Sequence, residues 1–214
     1  MIDAIYSLLK KEVKYYKVPV VDLIAIQSND PFKVLISALL SARTKDEVTL
    51  KAAERLFSVV KNADDLEKIP LKTLEKIIYP VGFYKTKSKN LMELPSVLRK
   101  EFNGNIPSSV EELILLPGVG RKTANLVVGA GFGKPAICVD THVHRILNRI
   151  GYVKTKNPQE TENALRKKLP HQYWISINSI LVAYGQHTCV PISPFCSRCP
   201  IERYCKKIGV VRKR

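Results

Sequence analysis

At 214 residues the chain is long enough to bury one sizeable core or two modest ones, and its 45% apolar and 25% charged residues are ordinary for a soluble globular protein. Thirty-five Lys and Arg against nineteen Asp and Glu leave a net charge of +16, which favours a polyanionic partner over a basic surface kept only for solubility. There is no long uncharged apolar run, signal peptide or lysine-rich amphipathic anchor, so a membrane role is excluded and an intracellular, soluble protein of cytoplasm or nucleoid is expected.

The start, MIDAIYSLLKKEVKYY, has the spacing of an amphipathic helix. Further helical runs follow as PFKVLISALLSA, TLKAAERLFSVVK, LKTLEKIIYPV, SKNLMELPSVLRKEF and TENALRKKL, each repeating apolar residues at three- and four-residue intervals. Turn signals separate them at Asn29-Asp30-Pro31, Asn62-Ala63-Asp64, Gly82, Asn103-Gly104-Asn105 and Lys156-Asn157-Pro158. Short β-branched pieces occur (VPVVDL, KPAICVD), but nothing alternates for long or pairs as a hairpin. The expected fold is all-α, with about ten helices and short connections.

Two stretches echo each other. YPVGFYKTKSKNL and LPGVGRKTANL both run from apolar residues through a glycine turn to basic residues and a helix. In the second, Gly118 and Gly120 allow positive φ and close approach of another chain, and the amides opening the next helix attract an anion such as a phosphate. The spacing is neither a P-loop nor a dinucleotide fingerprint, and the preceding EELILL reads helical. The turn resembles the hairpin of a helix-hairpin-helix element. Lys122 then falls in the first helical turn, where the positive dipole end and Arg121 both disfavour an ammonium. An amine nucleophile needs such a place, although a solvated charge or phosphate contact is the commoner fate of a surface lysine.

Downstream lies Cys138-Val139-Asp140-Thr141-His142-Val143-His144. Asp140 can be a simple N-cap, or a carboxylate that faces Lys122 across a cleft and stabilises the positive charge developing as a glycosidic bond breaks. His142 and His144, two apart on a helix, point different ways, so structural or phosphate roles suit them better than a shared metal. The sharpest signal is Cys189-x6-Cys196-x2-Cys199-x5-Cys205. Only the middle pair has zinc-knuckle spacing; the wide flanking gaps suit a [4Fe–4S] cluster, with zinc and disulfides as the alternatives. Arg198, Arg203, Lys206, Lys207, Arg212, Lys213 and Arg214 surround these cysteines, so a metal here would brace a basic loop for phosphate contact.

LPGVGRKTAN, then VDTH with its aspartate eighteen residues after the lysine, then C-x6-C-x2-C-x5-C, together resemble the endonuclease III family of helix-hairpin-helix DNA glycosylases and AP lyases. The likeness runs from Pro31 to Cys205. It implies two helical domains flanking a DNA-binding groove: a six-helix barrel with the helix-hairpin-helix over residues 22–133, and an iron–sulfur cluster domain from residues 1–21 and 134–214, with the cluster loop at 189–205. It implies Lys122 as nucleophile, Asp140 as its aspartate, and Cys189, Cys196, Cys199 and Cys205 as ligands of a cluster that is structural or regulatory rather than catalytic. It matches SARTKD, with Arg43, to the loop that fills the gap left by an extruded base. It matches GFYKTK, with Phe83 as wedge and Tyr84 and Lys87 beside it, to a second DNA-contacting turn; Gly118, Gly120 and Arg121 belong to the hairpin. Arg43 stands where many relatives carry glutamine, and Ile114 replaces an acid found in some members.

The implied activity is base excision repair as a monomer on double-stranded DNA carrying a damaged base or abasic site. Oxidised pyrimidines would be removed by base flipping, attack of Lys122 on C1′ and β-elimination. A mismatch-specific glycosylase for T:G or U:G is the alternative within the superfamily, but those relatives lack the hairpin lysine. Adenine glycosylases carry a further C-terminal domain, whereas this chain runs nine residues past Cys205. A non-catalytic helix-hairpin-helix module and an electron carrier are the remaining readings; the pairing of Lys122 with Asp140 opposes the first, charge and cysteine spacing the second.

Overall fold

The computed structural model describes all 214 residues and holds twelve α-helices, several short helical turns and no β-strand. No helix is long and apolar enough to cross a membrane. The chain divides into two compact units: Val20–Lys134, and Met1–Pro19 together with Pro135–Arg214.

Within Val20–Lys134 the chain runs α2 (Val20–Ser28), α3 (Pro31–Ser41), α4 (Asp46–Val59), α5 (Ala63–Glu67), α6 (Leu71–Ile78), α7 (Tyr84–Phe102), α8 (Val110–Leu113) and α9 (Arg121–Leu126). α3 is the centre. It begins where Pro31 fits the first helical position and Asp30 accepts the amide of Phe32 at 2.9 Å. Its sequence PFKVLISALLS is polar only along the narrow line of Lys33, Ser37 and Ser41, and eight of its eleven residues are buried. α2, α4, α7 and α9 all pack against it. α7 turns a stripe of Lys87, Ser88, Leu91, Leu94, Pro95 and Leu98 inward, the three- and four-residue spacing of a one-sided helix. The β-branched VPVVDL, which hinted at extended chain, is helical from Val20 because burial of Val20, Val21 and Ile24 overrides local preference.

EELILL is helical only to Leu113, and the turn after it leaves Ile114 and Leu115 exposed. NLVVGAGFG likewise leaves the α-helix at Leu126 and passes into a single wide π-turn, Val127–Gly131. Gly131 packs against the start of α3, where a β-carbon would stand at ordinary contact distance, 3.4 Å from Pro31 and 3.6 Å from Val34.

The second unit joins α1 (Ile2–Glu12) to α10 (Thr141–Ile150), α11 (Pro158–Lys168) and α12 (Ser176–His187). Ile5 and Leu9 of α1 enter one core with Ile146, Leu147, Leu165, Trp174, Leu181 and Tyr184. Hydrogen bonds spanning most of the chain pin α1 there: the Tyr173 hydroxyl donates to Asp3 at 2.7 Å, and Tyr6 meets Ser176 at 2.6 Å. KPAICVD, the other β-branched piece, forms no strand; it runs extended into α10 with Ala136, Ile137, Cys138 and Val139 buried.

Because α3 is so largely buried, Leu35→Ala should cost about 2–5 kcal/mol, read as a shift in a urea denaturation midpoint.

Candidate functional site

The hairpin is built on both sides. Ser109 caps α8 by accepting the Glu112 amide at 3.2 Å while its hydroxyl donates to Glu112 Oε2 at 2.6 Å. After Leu116, buried to 2% exposure, the chain turns at Gly118 with φ +74°, and a β-carbon there would stand 2.3 Å from Asn90 Nδ2 of α7. Gly118 is therefore required both for its conformation and for its contact. Gly120 serves as N-cap of α9 with no side-chain cap and with open space where a β-carbon would sit. Lys122, the second residue of α9, is exposed, and Arg121 is half-buried.

In the same unit the loop after α3 and the turn before α7 touch. Arg43 and Phe83 both take left-handed backbone, φ 54° and 57°, and the Arg43 guanidinium lies 5.4 Å from the Phe83 ring centre. Phe83 is 62% exposed, so a large apolar ring stands in solvent beside a cation. Tyr84 is half-buried and meets Tyr79 edge-on at 5.3 Å. Lys87 departs from the expected surface contact. It is 9% exposed, and its ammonium donates to Leu40 O at 2.8 Å, Ala42 O at 2.6 Å and Thr44 Oγ1 at 3.4 Å. Burial lowers its pKa to about 8. Three N–H groups directed at three internal acceptors leave none to reach a phosphate.

The other unit carries Asp140 and the cysteines. Asp140 Oδ1 accepts the amides of His142 at 2.8 Å and Val143 at 2.9 Å and so caps α10, as an Asp before a helix often does. The histidines diverge. His142 Nδ1 meets Arg145 at 3.1 Å, and His144 Nδ1 meets Thr161 Oγ1 at 2.7 Å. Cys189, Cys196, Cys199 and Cys205 line one cavity with Arg149, Tyr184 and Ile201. No disulfide joins any of the five cysteines. Short helical turns at Cys196–Arg198 and Glu202–Tyr204 aim the sulfurs inward. Tyr184 OH lies 2.8 Å from Cys199 Sγ, Arg149 donates to Cys189 Sγ at 3.5 Å, and the Lys207 amide donates to Cys205 Sγ at 3.4 Å. Burial pushes the thiols of Cys199 and Cys205 up, since a lone thiolate is poorly solvated there. No three His, Cys, Asp or Glu side chains converge tightly enough to hold a single metal ion.

Three contributors had no signature along the chain. Asn90 meets the hairpin from α7, Tyr184 reaches a cysteine fifteen positions away, and Arg149 ties the cysteine segment to α10 through the carbonyls of Val190 and Pro191. Each is an ordinary helical residue until the fold sets its partner beside it.

Residues 36–171 match the model of the HhH-GPD superfamily of base excision DNA repair proteins. The chain is 47% identical over 180 residues to endonuclease III of Thermotoga maritima, covering 84% of each. It is 44% identical over 177 residues to endonuclease III-like protein 1 of Bos taurus, spanning 81% of this chain and 58% of the bovine protein. Among solved structures, a non-covalent endonuclease III–DNA complex superposes with a TM-score of 0.84 at 35% identity, over 94% of this chain and 93% of that one. A thermostable thymine-DNA glycosylase, at 24% identity, a TM-score of 0.76 and coverage of 95% and 98%, shares the fold. By these matches the chain belongs to the HhH-GPD superfamily and, within it, to the endonuclease III family.

Proposed function

We propose that the protein is a bifunctional DNA glycosylase and AP lyase that removes oxidised pyrimidines from duplex DNA during base excision repair. One observation carries the reading: an exposed lysine, Lys122, in the first turn of the helix that follows the glycine hairpin, in a chain of the endonuclease III family. A net charge of +16 suits the polyanion, and affinity for it should fall steeply with salt.

In this mechanism the damaged nucleotide leaves the base stack, which costs least where pairing is already poor. The Lys122 amine attacks C1′ of the deoxyribose and the N-glycosidic bond breaks, releasing the base. The Asp140 carboxylate stabilises the oxocarbenium-like charge and assists proton transfer. The ring opens to an imine between Lys122 and C1′; loss of a C2′ proton then expels the 3′ phosphate, nicking the strand 3′ to the lesion. Gly118, Gly120 and Arg121 hold a backbone phosphate beside the sugar, and Arg43 and Phe83 enter the gap left in the stack. Tyr84 and Lys87 support that surface from within.

The four cysteines would hold a [4Fe–4S] cluster. Four cysteines lining one cavity fit a group in which each sulfur binds its own iron. The charge of bound iron would favour the thiolate form of these cysteines. When bound, the cluster supplies rigidity to the basic loop; no chemical step uses it.

Borohydride added to the wild-type protein on a duplex with thymine glycol or an abasic site should trap a covalent adduct, and Lys122→Ala should trap none. An undiminished adduct in the variant would refute the lysine mechanism. Asp140→Asn keeps a capping oxygen but loses the charge, so its urea midpoint should stay near wild type while base release slows by about 10²-fold or more. Asp140→Ala should in addition lose about 0.5–2 kcal/mol of stability. Iron and acid-labile sulfide should be found in equal amounts in the purified protein and fall together in Cys196→Ser; zinc without sulfide would exclude the cluster.

A further inference from the structure

Lys87 is a buried cation with no acid beside it, which is uncommon because charged groups are rarely buried unless paired. Its partners explain the exception. Leu40 O and Ala42 O belong to the C-terminal end of α3, where carbonyls lack helical amides and the dipole is negative. The Thr44 amide closes only Ser41 O, at 3.0 Å, and an ammonium delivered from α7 takes Leu40 O and Ala42 O.

The third partner extends the clamp. Thr44 Oγ1 accepts from Lys87 and also from the Gly82 amide, at 3.1 Å, and so joins the loop after α3 to the turn before α7. The approach is close enough that a β-carbon on Gly82 would stand 2.5 Å from Arg43 O. On the outer side of this seam stand Arg43 and Phe83, one from each loop, both in the left-handed region. Non-glycine residues hold such backbone only where the surroundings over-determine it.

We infer that Lys87 is a positioning residue that locks the Ser41–Asp46 loop to the Gly82–Tyr84 turn, so that Arg43 and Phe83 meet the DNA as one preformed wedge. The inference rests on the proposed entry of these two side chains into the gap left by the flipped nucleotide. Its physical content is preorganisation: ordering two loops before binding removes that entropic cost from the bound state. At neutral pH, below its lowered pKa of about 8, the amine keeps all three protons for the clamp.

The test uses the full chain on a duplex carrying a tetrahydrofuran abasic analogue opposite 2-aminopurine, with the undamaged duplex as reference. Arg43→Ala and Phe83→Ala should lose the preference for the analogue and the 2-aminopurine fluorescence rise that marks wedge insertion. Lys87→Met, which keeps the stem, and Thr44→Val, which keeps the shape, should lose about ten-fold of the same preference with the same optical loss. Affinity for undamaged duplex and the helical circular dichroism should not change, which a merely structural role would not produce. Should Lys87→Met fold poorly, Thr44→Val carries the test alone. If the clamp variants keep preference and fluorescence while Arg43→Ala and Phe83→Ala lose them, the clamp is overturned. If all four keep them, the wedge reading falls and takes the clamp with it.

Discussion

The unit Val20–Lys134 depends on the burial of α3. A helix so largely apolar must be surrounded, and each buried Leu, Ile or Phe there contributes about 1.5–3 kcal/mol by leaving water. Whatever surrounds α3 is thereby fixed, and both ends of the helix border segments of the candidate site. Gly131, just past the hairpin helix, lies against its first turn, while the loop with Arg43 leaves from its last. One apolar segment thus sets the platform for the hairpin and for the loop that carries Arg43.

Cations in this protein do different physical work according to burial. Lys122 stands in water at a helix start, where an amine can meet a ligand. Lys87 is enclosed and spends its hydrogen bonds on carbonyls of its own chain. Arg149, 9% exposed, donates to Val190 and Pro191 and so holds the cysteine segment on α10. Arg198 and Arg214 both lie over the Phe195 ring, 4.1 and 3.9 Å from its centre, so even the exposed basic loop is partly organised by stacking. Net charge counts these groups alike, but only some of them can face a phosphate.

Asp140 has a structural role that would not compete with the chemical one proposed for it. Capping α10 takes two backbone amides onto one carboxylate oxygen. Those bonds fix the orientation of the carboxylate at the start of α10. The cysteine cavity follows the same logic, since Tyr184, Arg149 and the Lys207 amide direct hydrogen bonds at its sulfurs.

The sequence by itself determined the helical class, the helical run PFKVLISALLSA, the glycine turn with its lysine, the capping aspartate and the set of four cysteines. All of these rest on short-range periodicity or spacing, which the chain carries locally. Tertiary structure alone decided that Lys87 faces inward, because its acceptors lie 43 to 47 residues away and a lysine near a glycine turn reads as exposed. It alone set Asn90 against Gly118, Tyr184 against Cys199 and α1 against α12, and ended the helix of EELILL early. Such contacts come from burial and the geometry of packed helices, quantities that belong to the folded chain and have no counterpart in local spacing.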